Sequence, residues 1–301
     1  MSVLGIRFRL HPLFVLVAAS SVLTGQFAEL SVLFCIVLVH EFGHIAAARG
    51  FGWKVREVRL LPFGGVAVME PKGIPPLREE VAVSLAGPLQ NVLLMLVSAL
   101  FAELGVWSAS WAHFFLQANL LIALFNLLPI LPLDGGKILQ AFLDSVLPYY
   151  RSLTAGIRIS LAFSALLVLW SLVRPGAPGI HLNLLLIGLF LLYSNIVSFR
   201  HVPFQFVRFL AFRLLESEDP RRRPDRPIPE VASSRSSLPD LLRRIRRNRS
   251  QLFFLVGPGG TPERVVSERS LLLKFFAPDP GGGPPVAREP SGPLLRIGRR
   301  A

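Results

Sequence analysis

Leu33-Phe34-Cys35-Ile36-Val37-Leu38-Val39-His40-Glu41-Phe42-Gly43-His44 sets three ionisable side chains into an otherwise apolar run that extends from Leu30 to Ala48. On a helix, positions 40 and 44 are separated by about 400° of rotation and about 6 Å of rise, so both imidazoles leave the same face and can share one metal ion. Zinc in a hydrolytic site takes three protein ligands and leaves a fourth position to water, whose pKa falls toward neutrality. Glu41, adjacent to a ligand and not required as one, is placed to take the water proton. A charged group near the middle of a membrane helix costs about 2.5 kcal/mol or more, so a helix that merely spans would not carry these residues. Cys35 lies five residues before His40, about 140° around the helix, and reads as packing.

The rest of the chain agrees with a membrane setting. Of 301 residues, 52% are apolar and only 17% charged, while Lys and Arg outnumber Asp and Glu by 32 to 19, a net charge of +13. A single cysteine excludes a disulfide-stapled module, and the apolar content excludes a wholly disordered chain. A bilayer core needs about 20 mostly apolar residues per helix. Six windows qualify: Pro12 to Gln26, Leu30 to Ala48, Val81 to Leu104, Trp111 to Leu131, Leu153 to Val173 and His181 to Phe199. Basic residues gather on the connections of one side (Arg7, Arg9, Arg49, Lys54, Arg56, Arg59, Lys72, Arg78, Lys137, Arg151, Arg200), whereas the opposite side offers Arg174. The charge bias predicts a multi-pass protein of the cell membrane with both termini in the cytoplasm. The first window follows Arg7 and Arg9 and reads as a span rather than a cleaved signal, since its removal would upset that bias.

Between the second and third windows, Val55 to Pro71 is a strand-like run broken by Pro62 and Gly64-Gly65, which predicts a two-stranded hairpin. The fold class expected is therefore an all-α polytopic membrane protein of about six transmembrane helices with a β-hairpin insertion, plus a small cytoplasmic α/β domain. A third metal ligand must come from another segment. Asn126-Leu127-Leu128-Pro129-Ile130-Leu131-Pro132-Leu133-Asp134-Gly135-Gly136 ends an apolar helix irregularly on the cytoplasmic side, at the depth of His40 and His44. Asp134 is the third-ligand candidate; the alternative is that it caps the helix that begins near Gly136.

The combination of His40-Glu41-x-x-His44 with that later Asn-x-x-Pro-x-x-Pro-Leu-Asp-Gly-Gly stretch resembles the site-2 protease family of intramembrane zinc metallopeptidases, over about residues 1–215. Leu61-Pro62-Phe63-Gly64-Gly65-Val66 and the order of spans are similar to its bacterial sporulation branch. The resemblance implies that His40, His44 and Asp134 hold one zinc ion, that Glu41 is the general base, and that Asn126 helps hold substrate or its developing oxyanion. Asn126 has an equal alternative, satisfying carbonyls freed by Pro129 and Pro132. It also implies a membrane-tethered protein substrate cut near the cytoplasmic face, a sigma-factor precursor or else an anti-sigma factor, and membrane inhibitor proteins that silence the protease. From a different class, the same ligands would suit a zinc transporter or sensor, from which Glu41 distinguishes a protease. Ser84-Leu85-Ala86-Gly87-Pro88-Leu89-Gln90-Asn91 also resembles a family motif, read here as close helix packing through Ala86 and Gly87 ahead of direct substrate contact.

The remaining chain divides into a linker at 216–237, a compact segment at 238–277 and a Pro/Gly-rich tail at 278–301 expected to be disordered. The order helix, strand (Leu252 to Val256), strand (Val265-Val266), helix in the compact segment resembles half of a cystathionine-beta-synthase (CBS) module. That implies a nucleotide and homo-oligomer pairing through this domain, although no residue identifies an adenine or phosphate site. Arg221-Arg222-Arg223 and the cluster Arg243, Arg244, Arg246, Arg247 and Arg249 lack aromatic interleaving, so they point to the lipid bilayer or an acidic partner and not to nucleic acid.

Overall fold

A computed structural model describes residues 2–3, 6–10, 25, 27–61, 64–71, 73–173, 181–217 and 227–277. In chain order the helices are α1 (Phe27–Gly50), α2 (Leu77–Glu103), α3 (Ala109–Asn126), α4 (Asp134–Val146), α5 (Tyr149–Leu172), α6 (Leu182–Arg200) and α7 (Val202–Ser217), followed by the short α8 (Leu238–Leu242) and α9 (Glu268–Phe276). Among the described residues, four helices are long and apolar enough to cross a membrane: α1, α2, α5 and α6. The expected window from Trp111 to Leu131 becomes α3, which stops at Asn126 and carries His113, Gln117 and Asn119; it is not one of the four. The expected first span and the disordered tail lie outside the described residues, as do Arg221 to Arg223.

The faces of these helices are inverted relative to a water-soluble bundle. Helix α2 buries Val83, Ser84, Gly87, Pro88, Asn91 and Ser98, and exposes Leu89, Leu93, Leu96 and Leu100. Helix α5 likewise buries Ser152, Gly156, Ser160 and Ser164 and turns Leu166, Leu169 and Trp170 outward. Where the surroundings are lipid, the apolar stripe faces out, and helices associate through small residues and hydrogen bonds across the bundle. One such bond runs from Ser98 Oγ to the Ala112 carbonyl at 3.2 Å, joining α2 to α3. Cys35 is exposed on α1, not buried as expected, because its angular offset from the histidines puts it on the outer face.

The hairpin forms as expected from β3 (Lys54–Leu61) and β4 (Gly64–Glu70), antiparallel with Leu61 opposite Gly64. Two further strands, β1 (Ser2–Val3) and β2 (Ile6–Leu10), extend it to a four-stranded sheet of order β1-β2-β3-β4. Strand β2 runs parallel to β3, pairing Arg7 with Glu57 and Leu10 with Leu60. A five-residue strand whose partner lies some 50 residues away leaves no local signature, and its arginines read as a topology signal instead.

The C-terminal domain is a three-stranded sheet of β5 (Ile228–Ser233), β6 (Gln251–Val256) and β7 (Pro262–Ser267), with β5 parallel to β6 and β7 antiparallel to it. Strand β5 lies within the segment 216–237 that the sequence reading assigns to a linker. Ile228, Glu230 and Ala232 point inward there and Val231 outward, so at Glu230 and Val231 polarity runs against burial and breaks the alternation that would mark a strand. The domain shares its core with α7: Phe206, Phe209 and Leu210 pack with Leu241, Leu242, Ile245, Phe253, Leu271 and Leu272.

Four of the five arginines in the cluster make contacts within the fold, while Arg243 and Arg249 are exposed. Arg244 donates to the Val231 carbonyl at 3.1 Å, Arg246 to the Val146 carbonyl at 3.2 Å, and Arg243 lies 5.0 Å from the centre of the Tyr150 ring. Arg247 is buried against carboxylates of the membrane domain. In sequence these side chains look solvated because their acceptors are far along the chain.

Candidate metal centre

Helix α1 delivers His40, Glu41 and His44 to the interior in its C-terminal half, all three buried. The imidazoles stand nearly perpendicular, with ring centres 4.8 Å apart. Their outer nitrogens are fixed by α2. His44 Nδ1 lies 2.7 Å from the Val83 carbonyl, which can only accept, so this nitrogen carries the proton. His40 Nδ1 lies 2.6 Å from Asn91 Oδ1, and Asn91 Nδ2 donates in turn to Asn119 Oδ1 at 3.0 Å. Asn119 is anchored by donation to the Phe115 carbonyl at 2.8 Å. Both Nε2 lone pairs therefore face inward.

Asp134 completes a triangle. Its Oδ2 lies 3.2 Å from His40 Nε2 and 3.0 Å from His44 Nε2, and the two Nε2 atoms are 3.2 Å apart. Three such atoms at these separations need a shared positive centre, a metal ion or a proton on an imidazole. Ligands bonded at about 2.1 Å to one tetrahedral ion would be about 3.4 Å apart, close to what is seen. The carboxylate of Glu41 belongs to the same cluster, in which the ligating atoms of His40, Glu41 and His44 all lie within 4.8 Å. The residues present thus fit a small divalent ion.

The loop from Asn126 to Asp134 explains how an acidic group arrives at this depth. Leu131 N donates to Ser160 Oγ on α5 at 3.0 Å, and Asn195 Nδ2 on α6 donates to the Leu131 carbonyl at 2.6 Å. Backbone groups stripped of helical partners are held by polar side chains of neighbouring helices, the condition for irregular backbone at membrane depth. Asp134 opens α4, yet Leu133 occupies the cap position and no side chain makes a capping bond, so the carboxylate is not spent there. Its second oxygen accepts from Lys137 Nζ at 3.0 Å, leaving Oδ2 directed at the histidines. Asn126 is turned to its own helix, Nδ2 donating to the Ile122 carbonyl at 3.0 Å, and bonds neither a carbonyl freed by the prolines nor a site residue.

Two glycines make the approach of α1 and α2 possible. A Cβ on Gly43 would lie 2.5 Å from the Ala86 carbonyl oxygen. One on Gly87 would overlap His44 Nε2 and reach 2.6 Å from His40 Nε2, the side of the rings on which a metal would sit. Helix packing was the expected role for Gly87; in the structure it also keeps space open beside the ligand atoms. Asn91, Lys137, Ser160 and Asn195 were not singled out as site residues by sequence. For Asn91 a signal existed, a bare amide within an apolar helix at the end of the Ser84–Asn91 motif.

A His-Glu-x-x-His helix sunk among apolar helices, with an aspartate from a second segment closing on both imidazoles, is the architecture of a membrane metallopeptidase. The sequence matches Peptidase family M50 over residues 28–107 and 101–169. Stage IV sporulation protein FB of Bacillus subtilis is 38% identical over 209 residues, covering 69% of this chain and 71% of that protein. A zinc metalloprotease of Methanocaldococcus jannaschii is 29% identical over 202 residues, 64% of this chain and 57% of the relative. The solved site-2 protease of the same archaeon superposes with a TM-score of 0.54 at 27% identity, covering 66% of this chain and 93% of that structure. The chain belongs to Peptidase family M50, the site-2 proteases, and is a metalloprotease of that type. The family profile ends at residue 169, short of the C-terminal domain.

Proposed function

We propose that the protein is an intramembrane zinc endopeptidase that cleaves a membrane-tethered protein close to the cytoplasmic face, with His40, His44 and Asp134 as the zinc ligands and Glu41 as general base. The observation that carries this reading is the 3.0–3.2 Å triangle of His40 Nε2, His44 Nε2 and Asp134 Oδ2 with the Glu41 carboxylate beside it. A zinc ion bound there would supply Lewis acidity, bringing water within reach of deprotonation near neutral pH. Glu41 takes the proton of the attacking water and returns it to the departing amine nitrogen. Asn91 and the Val83 carbonyl keep both imidazoles in the tautomer that leaves Nε2 unprotonated. Asn126 turns its amide from the Ile122 carbonyl toward the developing oxyanion when substrate is present.

The topology that goes with this function has six spans. The four apolar helices are joined by α3 and by the apolar window Pro12 to Gln26, which lies almost wholly outside the described residues, with both termini in the cytoplasm, in accord with the distribution of basic residues. Strand β4, which ends the sheet order, offers its edge to an extended substrate segment, presenting a peptide bond that a helix would bury. The name of the Bacillus subtilis relative supports a sporulation setting. The substrate is then a membrane-tethered sigma-factor precursor, with membrane inhibitors restraining the protease until it is needed.

Co-expression of a membrane-tethered sigma-factor precursor with the native chain or Glu41→Gln, followed by immunoblot, tests the reading. Shortening by the native chain alone is expected. An intact precursor with both, from a native chain that still binds one zinc ion, transfers the substrate assignment to another membrane protein such as an anti-sigma factor. A purified native chain that binds no metal overturns the catalytic reading.

A further inference from the structure

Arg247 sits in the C-terminal domain between α8 and β6, far in sequence from every site residue, and it is buried. Its guanidinium makes four bonds to the membrane domain. Nη1 and Nη2 grip both oxygens of Glu80 at 2.8 and 2.5 Å, Nη1 also reaches Asp144 Oδ2 at 2.6 Å, and Nη2 donates to the Pro75 carbonyl at 3.2 Å. Burial alone would lower its pKa; the Glu80 and Asp144 carboxylates more than reverse this, so the group is held firmly charged. Asp144 is itself only 2% exposed, and its Oδ1 accepts from Ser152 Oγ at 2.5 Å and Gln140 Nε2 at 2.9 Å.

The two helices joined in this way are the two that assemble the metal centre around α1. Glu80 lies in the first turn of α2, seven residues before Gly87 and eleven before Asn91, or about 10 and 16 Å along the helix. Asp144 lies in the last turn of α4, ten residues after Asp134, about 15 Å away. Helices α2 and α4 also pack on one another. The relative position of α2, which orients the imidazoles, and α4, which supplies the carboxylate, is thus fixed from their cytoplasmic ends by one residue of another domain. A second tie runs beside it: Arg213 of α7 donates from Nε to Glu268 at 2.7 Å, and Glu268 accepts from Gln251 N at 2.9 Å.

We infer that Arg247 is a positioning residue through which the docked C-terminal domain sets the spacing of α2 and α4, so that the metal centre reaches its ligand geometry only while that domain is seated. The inference rests on the zinc-protease reading above. Arg247 touches neither the metal ligands nor Glu41, so its effect reaches the site through helix position. A bidentate guanidinium is needed for this, since a lysine ammonium cannot hold both Glu80 oxygens and Asp144 at once.

The test follows zinc loss to excess EDTA from the full-length chain in detergent, by metal analysis against time, together with thermal unfolding. Arg247→Ala is expected to lose zinc about tenfold faster than the native chain, the scale of coupling carried through packed elements. Arg247→Lys is expected to fall between the two. The set Arg247→Met with Glu80→Gln and Asp144→Asn removes the tie and leaves no buried charge unpaired. It should unfold near the native temperature and still lose zinc fast. Native-like zinc retention in the neutral set and in Arg247→Lys would overturn the inference and leave the protease reading intact. Glu41→Gln, expected to retain zinc normally and cleave nothing, separates the two, and a native chain without zinc would remove both.

Discussion

The metal centre and the C-terminal domain both bury charged side chains, by opposite routes. At the centre, His40, Glu41, His44 and Asp134 lie within apolar helices or at their ends, so each stands out against its neighbours in sequence. In the C-terminal domain Arg247 lies in a run of basic residues, two of whose members, Arg243 and Arg249, are exposed, and only its partners in α2 and α4 set it apart. Burial of charge is legible when the local background is apolar. It is illegible when the background is polar and the compensating charge is about a hundred residues away or more.

The difference can be broken most forcefully at Gly87. Gly87→Ala adds a methyl group that overlaps His44 Nε2 and crowds His40 Nε2, so purified protein is expected to carry little or no zinc and to show no cleavage, while α2 remains helical by circular dichroism. Zinc at full occupancy in this variant would mean that the space beside Gly87 is not the metal's. Asn91→Ala should be milder. It frees His40 Nδ1 and breaks the chain to Asn119, and the loss expected is about 10–100-fold in zinc affinity, read by competition with a chromophoric chelator. At the other extreme, Arg244→Ala removes a half-exposed side chain bonded to the Val231 carbonyl and 3.9 Å from Glu230. Its expected cost is under about 1 kcal/mol by thermal unfolding, with zinc retention unchanged. A large zinc defect in Arg244→Ala would erase the distinction between Arg247 and its neighbours.

Much of the membrane half follows from local rules. The placement of α1, α2, α5 and α6 and the β3–β4 hairpin, together with the pairing of the His40–His44 face with an acidic group after the Pro129 and Pro132 break, can be read from apolar length, helical periodicity and turn residues. What escaped reading has two causes. Strand β2 pairs in parallel with a segment beyond α1, β5 points Glu230 inward and Val231 outward, and α3 is shorter and more polar than its window suggested. For the two strands the deciding contact lies outside the range over which periodicity carries information; for α3 it is the local polarity of His113, Gln117 and Asn119. Asn126 is a different instance: its amide finds a partner four residues back in its own helix, a bond that spacing permits but does not require.

By itself the sequence pointed to a chain that enters a membrane, to one helix with two histidines on one face and a glutamate beside them, and to an aspartate at a later broken helix end. Each of these follows from the free energy of placing a given side chain in lipid or on a given helical face, a property of neighbours in the chain. Tertiary structure alone decided that Asn91 and the Val83 carbonyl set the imidazole tautomers, that Gly87 leaves the room beside them, and that Arg247 joins α2 to α4. Those outcomes depend on which donor meets which acceptor when distant segments pack. A hydrogen bond or ion pair extends about 3 Å, and no spacing rule along the chain specifies it.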